Sequence, residues 1–224
     1  MTAVDTILFD IDDTLCTYRR SAAEILDHSF DSTGIDPFFT VQDYFARFHE
    51  FTEADTIDEL RANCFAAIAT DGGYDADVGR NVAEAFAAER DHGDVVFLPG
   101  AQEALEALAD HRLGIVTNGS PDMQTPKIES LGIGDHFDVV VHAGYDGPAK
   151  PSPDPFYTAL DALDSAPERA VHVGNSLEAD IPGAQAAGVG AIWVPDHTDA
   201  TPTDYQPDYT VETLHDLIDR PWSA

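Results

Sequence analysis

Asp10 and Asp12 stand two residues apart directly after the apolar run VDTILF. Two carboxylates at that spacing suit covalent attack by one and proton exchange by the other, provided a cation offsets their charge. Further polar groups occur where later apolar segments end. They are Thr117 and Asn118 after LGIV, Lys150 in a loop ahead of a helical segment, and Asn175 with Asp180 after AVHVG. Carboxylates, a hydroxyl, an ammonium and additional oxygen ligands make a set suited to a phosphoryl group and a hard cation.

Groups so far apart in the chain meet only if the intervening elements bring them to one rim. Residues 4–9 are β-prone and apolar, which predicts a buried strand that delivers the acids at its C-terminal end. From about residue 19 to 90 the pattern turns helical. Ala22, Ile25, Leu26 and Phe30 fall near one face, and the same spacing recurs in VQDYFARFHEF, IDELRANCFAAIA and VGRNVAEAFAAER, predicting four helices with no strand between them. After Pro99-Gly100, helix and strand alternate: AQEALEALAD, LGIVTN, PDMQTPKIESLG, FDVVVHAG, PDPFYTALDAL, AVHVGN, EADIPGAQAAG and AIWVP. That rhythm predicts an α/β fold with a parallel sheet and helices on its faces, whose ligands bind beyond the carboxyl ends of the strands. The Thr/Asp/Pro-rich stretch 196–208 is expected to be a surface loop before a last helix.

With these elements in order, the chain resembles the haloacid dehalogenase superfamily, most of whose members are phosphatases, over nearly its whole length. FDIDDTL at 9–15 is similar to the first motif of that family, VTNG at 116–119 to the second, AKPSPDPF at 149–156 to the third and HVGNSLEADIPGAQAAG at 172–188 to the fourth. The resemblance implies a Rossmann-like core, residues 1–17 and 93–224, with an inserted α-helical cap at 18–92 that closes over the substrate. It implies a nucleophile at Asp10, an acid-base aspartate at Asp12, phosphate contacts from Thr117 and Lys150, with Asn118 beside them, and Mg²⁺ bound by the Asp10 and Asp180 carboxylates and the Asp12 carbonyl. The fourth motif often begins Gly-Asp, and here Gly174-Asn175 puts a neutral amide at a candidate metal-ligand position. The expected activity is hydrolysis of a small phosphorylated metabolite. A 2-haloacid dehalogenase typically lacks the second aspartate of the first motif, so Asp12 argues against it. A phosphomutase on the same fold stays open, and a non-catalytic phosphate-binding module is disfavoured by the presence of Asp10, Asp12 and Lys150.

Plainer roles compete for several residues. Asp13-Thr14 suits turn and capping chemistry, Asn118 and Ser176 suit helix caps, and Tyr18, Arg19, Arg20 and His49 suit exposed helix faces. Lys150 is harder to dismiss as surface, because the chain has only two lysines. Two cysteines without Cys-x-x-Cys spacing exclude a disulfide framework, and nine scattered histidines give a zinc site no support.

The 42 Asp and Glu against 11 Lys and Arg give a formal charge of −31, spread through every expected element. Such a field repels nucleic acid and anionic membrane. No apolar run is long enough to span a bilayer, so a cytoplasmic protein is expected. The charge reads as that of a halophile's protein, because molar salt shortens the Debye length to about 3 Å and screens the self-repulsion. Thermal stability should therefore rise as KCl goes from about 0.1 M to molar levels. Equal melting temperatures at both salts would overturn the halophile reading.

Overall fold

The protein is described from a computed structural model covering residues 3–52, 54, 56–195 and 205–223. β1 (Thr6–Phe9) is buried along its whole length and lies in the middle of a sheet. The other strands are β4 (Arg112–Asn118), β5 (Val139–Ala143), β6 (Ala170–Gly174), β7 (Gly190–Trp193) and β8 (Tyr209–Thr210), in the order β5-β4-β1-β6-β7-β8. All these pairings are parallel. β1 reads as an unbroken apolar run because both of its faces are covered. Ile7 and Phe9 pack with Ala104, Leu105 and Leu214 on one side, while Leu8 packs with Phe156, Leu160 and Ile181 on the other.

The covering helices are α5 (Ala101–Ala107), α6 (Pro121–Leu131), α7 (Asp154–Ala162) and α8 (Asp180–Ala186). In β1, Thr6 stands opposite Arg112 of β4 and Ala170 of β6. The chain thus winds outward from β1 in both directions. At such a switch point the strand ends diverge and leave a crevice at their carboxyl side.

Two features of this unit differ from the sequence expectation. β2 (Cys16–Tyr18) and β3 (Val95–Phe97) form an antiparallel pair of three residues each, too short to show periodicity. The final helix is instead a pair of 3₁₀ turns, Leu214–Asp219 and Pro221–Ser223. Arg220 at φ 50° and the following Pro221 interrupt the segment before an α-helical ladder can extend. Of the expected loop 196–208, residues 196–204 lie outside the described residues, and 205–208 lead into the two-residue β8.

By its contacts the chain divides into two compact units, Met1–Tyr18 with His92–Ala224, and Arg19–Asp91. The second contains α1 (Ala22–Thr33), α2 (Val41–Phe48), α3 (Ile57–Asp71) and α4 (Ala76–Glu89). Ser21 and Thr40 start α1 and α2 with capping boxes closed by Glu24 and Asp43, while Thr56 and Asp75 cap α3 and α4. The core of this unit is aromatic. Phe65 is fully buried, with ring centroids of Phe39, Tyr44 and Phe86 at 4.7, 5.0 and 5.9 Å. Burial pushes the Cys16 thiol up to about 12 and the Cys64 thiol up to about 11, so both act as small apolar filler. Truncating Phe65→Ala removes the shared neighbour of three rings and should cost about 3–5 kcal/mol. Denaturant unfolding followed by far-UV circular dichroism should show the loss, and a shift below about 1 kcal/mol would mean that this core is not built around Phe65.

Candidate active site

Asp10 follows the last residue of β1 and is 6% exposed. Its amide donates to the Val173 carbonyl, so the β1–β6 ladder continues to Asp10. Beyond it the backbone tightens: the amides of Thr14, Leu15 and Cys16 all donate to the Ile11 carbonyl. Asp13 sits at φ 55° and accepts from the Thr17 hydroxyl at 2.9 Å, the turn chemistry its sequence suggests.

Lys150 is buried between two acids. Its Nζ donates to Asp10 Oδ1 at 2.8 Å, to Asp180 Oδ1 at 2.7 Å and to the Val116 carbonyl at 2.7 Å. An ammonium has three protons, and all three are engaged. What Lys150 offers a substrate in this state is therefore charge, not a free donor. Asn118 holds the lysine's backbone. Its Nδ2 donates to the Lys150 carbonyl at 3.1 Å, and its Oδ1 accepts from the Lys150 amide at 2.9 Å. Thr117 is buried one position earlier in β4.

Asp180 opens α8 and is 1% exposed. Besides Lys150, it accepts from His172 Nε2 at 2.9 Å and from the Ser176 amide at 2.9 Å. A Cβ at Gly174 would fall 2.3 Å from the Asp180 Cγ, so only glycine lets this carboxylate reach the end of β6. Asn175 accepts from the Thr14 hydroxyl through Oδ1 at 3.4 Å, and its carbonyl accepts from the Trp193 indole at 2.8 Å. The structure thus brings Asp10, Lys150 and Asp180 into direct contact, with Asn118 and Asn175 engaging the loops around them.

Burial pushes Asp10 up to about 7, with the negative charge of Asp180 adding to the effect and Lys150 opposing it. Asp180 also suffers burial, yet Lys150 and His172 hold it below the usual carboxylate range. Lys150 is held above the ordinary lysine value: burial alone would lower it, but the two acids outweigh burial. Burial lowers His172 below the ordinary histidine value, against the opposing pull of Asp180.

Two contacts at Asp12 were not evident in the sequence. Gln124 Nε2 donates to Asp12 Oδ2 at 2.9 Å, and Lys127 Nζ donates to Asp12 Oδ1 at 2.5 Å. The signal for Lys127 was present, since it is the other of the two lysines, but its partner lies 115 positions away in the chain. His172 was hidden in an apolar strand and gave no signal.

Among the described residues, no three His, Cys, Asp or Glu side chains form a metal cluster. The site nevertheless fits a hard divalent cation. The Asp10, Asp12 and Asp180 side chains lie beside the two ammonium groups of Lys150 and Lys127 and present carboxylate oxygens at the end of the sheet. Mg²⁺ is commonly held by one or two carboxylates, with waters and phosphate oxygens completing its shell.

The geometry agrees with what the chain is similar to. A phosphoserine phosphatase of Thermus thermophilus is 34% identical over 164 residues, 71% of this chain, and the chain spans 64% of that enzyme's length. The structure of a 2-haloacid dehalogenase from Pseudomonas syringae matches with a TM-score of 0.68 at 30% identity, over 98% of this chain and 99% of the other. A magnesium-bound hydrolase from Bacillus subtilis shares the fold with a TM-score of 0.75 at 24% identity, again over 98% and 99% of the two chains. The model of the haloacid dehalogenase-like hydrolases matches residues 4–188, which takes in the β1 acids, the β4 rim, Lys150 and Asp180, and the chain belongs to that family.

Proposed function

We propose that this protein is a Mg²⁺-dependent phosphatase that hydrolyses a small organic phosphate monoester through an aspartyl-phosphate on Asp10. The observation that carries the proposal is the division of labour at the end of β1. Asp10 is buried against Lys150, which also binds Asp180, while Asp12 is held by a separate cation and its side chain is 37% exposed. One carboxylate is thus fixed in a dry setting, and a second, within reach of solvent, is available to exchange protons. The likeness to a phosphoserine phosphatase supports the reaction class.

In the first half-reaction, which Asp12 must enter protonated, an Asp10 oxygen attacks phosphorus, the ester P–O bond breaks, and the leaving alkoxide takes the proton carried by Asp12. In the second, Asp12 takes a proton from a water that attacks phosphorus, releasing phosphate and restoring the Asp10 carboxylate. Lys150 lowers the repulsion between Asp10 and the phosphate dianion, and Thr117 is the candidate phosphate contact from β4. The Asp10 and Asp180 carboxylates with the Asp12 backbone carbonyl would hold Mg²⁺, which when bound neutralises charge on the phosphoryl oxygens. Asn175 adds no charge and acts through its contact with Thr14. The helical unit Arg19–Asp91 would serve as the cap that selects the substrate. The site around Asp10 is expected to take phosphorylated metabolites in the cytoplasm of a cell adapted to high salt. Among the described residues no helix is long and apolar enough to cross a membrane.

Dehalogenation is the second reading, favoured by the 30% identical structural neighbour. It leaves Asp12 and its two donors without a purpose, since a departing halide needs no proton.

Acid quench during turnover of ³²P-labelled p-nitrophenyl phosphate should trap label on the wild-type protein, and hydroxylamine should release it, as for an acyl phosphate. Asp10→Asn should abolish both trapped label and turnover. Full turnover by that variant would refute the assignment. Release of chloride from 2-chloropropionate in place of phosphate release would install the second reading.

The metal ligands predict an order of effects. Asp180→Asn removes a buried charge and should raise the Mg²⁺ concentration for half-maximal rate at least tenfold, whereas Asn175→Ala should change it little. Asn175→Asp adds a carboxylate and should lower that concentration. Initial rates titrated with Mg²⁺ at fixed molar KCl would test this order. An unchanged Mg²⁺ dependence in Asp180→Asn would remove Asp180 from the metal site.

A further inference from the structure

α6 begins just past the β4 rim and presents Gln124 and Lys127, three residues apart, on one face. Both side chains are fully buried, and each donates to a different oxygen of the same carboxylate, that of Asp12. The approach is close enough to restrict the sequence elsewhere. A Cβ at Gly119 would lie 2.4 Å from Gln124 Nε2, so glycine at the end of the VTNG segment is what admits the amide. Lys127 is enclosed on another side by the Tyr18 ring, whose centroid lies 4.8 Å from Nζ, and the Tyr18 hydroxyl is 2.9 Å from His92 Nδ1. Asp12 and Tyr18 outweigh the effect of burial on Lys127 and keep it above the ordinary lysine value.

We propose that Gln124 and Lys127 are positioning residues that clamp the Asp12 carboxylate in the orientation needed for proton transfer. The proposal rests on the phosphatase reading and goes beyond it by assigning residues outside the four motifs. A carboxylate on a strand end turns freely about two side-chain bonds, and donors on both oxygens fix both rotations. An ion pair kept for stability alone has a simpler solution in this chain, where surface cations are arginines and Asp13, the neighbouring acid, is held by a threonine. Burying an ammonium and an amide is costly unless each is matched. Here the ammonium and the amide nitrogen are both matched to the one acid whose direction decides whether a proton reaches the leaving oxygen, while Gln124 Oε1 stays buried without a hydrogen-bond partner. Both half-reactions pass through Asp12, so the clamp serves each of them.

The test compares an ester whose leaving group needs a proton with one whose leaving group does not. The probes are glycerol 2-phosphate and p-nitrophenyl phosphate, with kcat/KM reporting transfer to Asp10. General acids contribute about 10²–10⁴-fold, so Asp12→Asn should lower the alkyl-to-aryl ratio of kcat/KM by at least about 10²-fold. Lys127→Met should lower the same ratio by about tenfold or more, and Gln124→Met, which removes one donor from a side chain of similar size, should lower it by a smaller factor. Lys127→Arg should restore part of the ratio. Equal losses on both esters would show that Lys127 and Gln124 only support the fold, and would overturn the clamp, as would a ratio unchanged in both methionine variants. If Lys127→Met does not fold, Gln124→Met alone decides by the same ratio. A ratio that falls in Asp12→Asn but in neither clamp variant removes the clamp and leaves the phosphatase standing. A wild-type protein inert toward both esters, or a ratio indifferent to Asp12→Asn, removes the acid-base reading itself.

Discussion

One ammonium group, that of Lys150, makes the rest of this site possible. Two buried carboxylates side by side repel each other strongly in a medium that screens poorly, and each has lost its hydration. Lys150 meets both and gives its third proton to the Val116 carbonyl. The fold supplies every part of that arrangement: Asp10 from β1, Val116 from the adjacent β4, Asp180 from the helix after β6, and the amide of Asn118 to hold the lysine's backbone. Removing one member of such a buried set strands the others, at a cost of about 3–5 kcal/mol. The same contacts therefore hold the strand ends together and set the charge around Asp10. Asp10 is still pushed up to about 7, chiefly because burial disfavours its charged form, and Lys150 only partly opposes that effect. A divalent cation beside Asp10 would favour the charged form further.

The two lysines of the chain divide the acids between them. Lys150 belongs to Asp10 and Asp180, whose side chains are 9% and 2% exposed, and Lys127 belongs to Asp12 at 37%. On the proposed mechanism, Asp10 as nucleophile gains from a dry, fixed setting, because water would solvate it and blunt its attack. Asp12 as proton carrier must instead meet leaving group and water in turn. Separate cations on separate elements allow both conditions two residues apart. Had a single lysine bridged all three acids, Asp12 would have been drawn into the same buried cluster as Asp10.

Much of this was legible in the sequence, for reasons that differ between elements. β1, β4 and β6 are buried on both faces and so read as unbroken apolar runs. The polar residues that end them, Asp10, Thr117, Asn118 and Asn175, stand out by contrast. The helices of Arg19–Asp91 carry caps and periodic apolar faces and were equally plain. Three-residue pairings such as Cys16–Tyr18 with Val95–Phe97 leave no periodicity to read, and the 3₁₀ turns after Thr213 carry the same apolar spacing as a short helix. The clamp on Asp12 was invisible for another reason. Gln124 and Lys127 look like polar positions on a helix surface, and only the tertiary fold shows that this surface is covered. Asn118 carries a similar lesson, because its amide is occupied by the Lys150 backbone, which no local pattern announces.

The contrast between interior and surface charge bears on how the site works in salt. A phosphate dianion approaching a chain of formal charge −31 moves against the field at low ionic strength. At molar salt, with a Debye length of about 3 Å, that repulsion falls away within the first layer of solvent. The contacts at 2.5–2.8 Å between Lys127 and Asp12 and between Lys150 and Asp10 are shorter than this length, and no ions intervene between their members. Salt therefore removes the obstacle to substrate approach without dissolving the pairs that orient the acids. The surface charge thus responds strongly to ionic strength and the buried pairs hardly at all, so a chain this acidic keeps its ion-paired acids in place at molar salt.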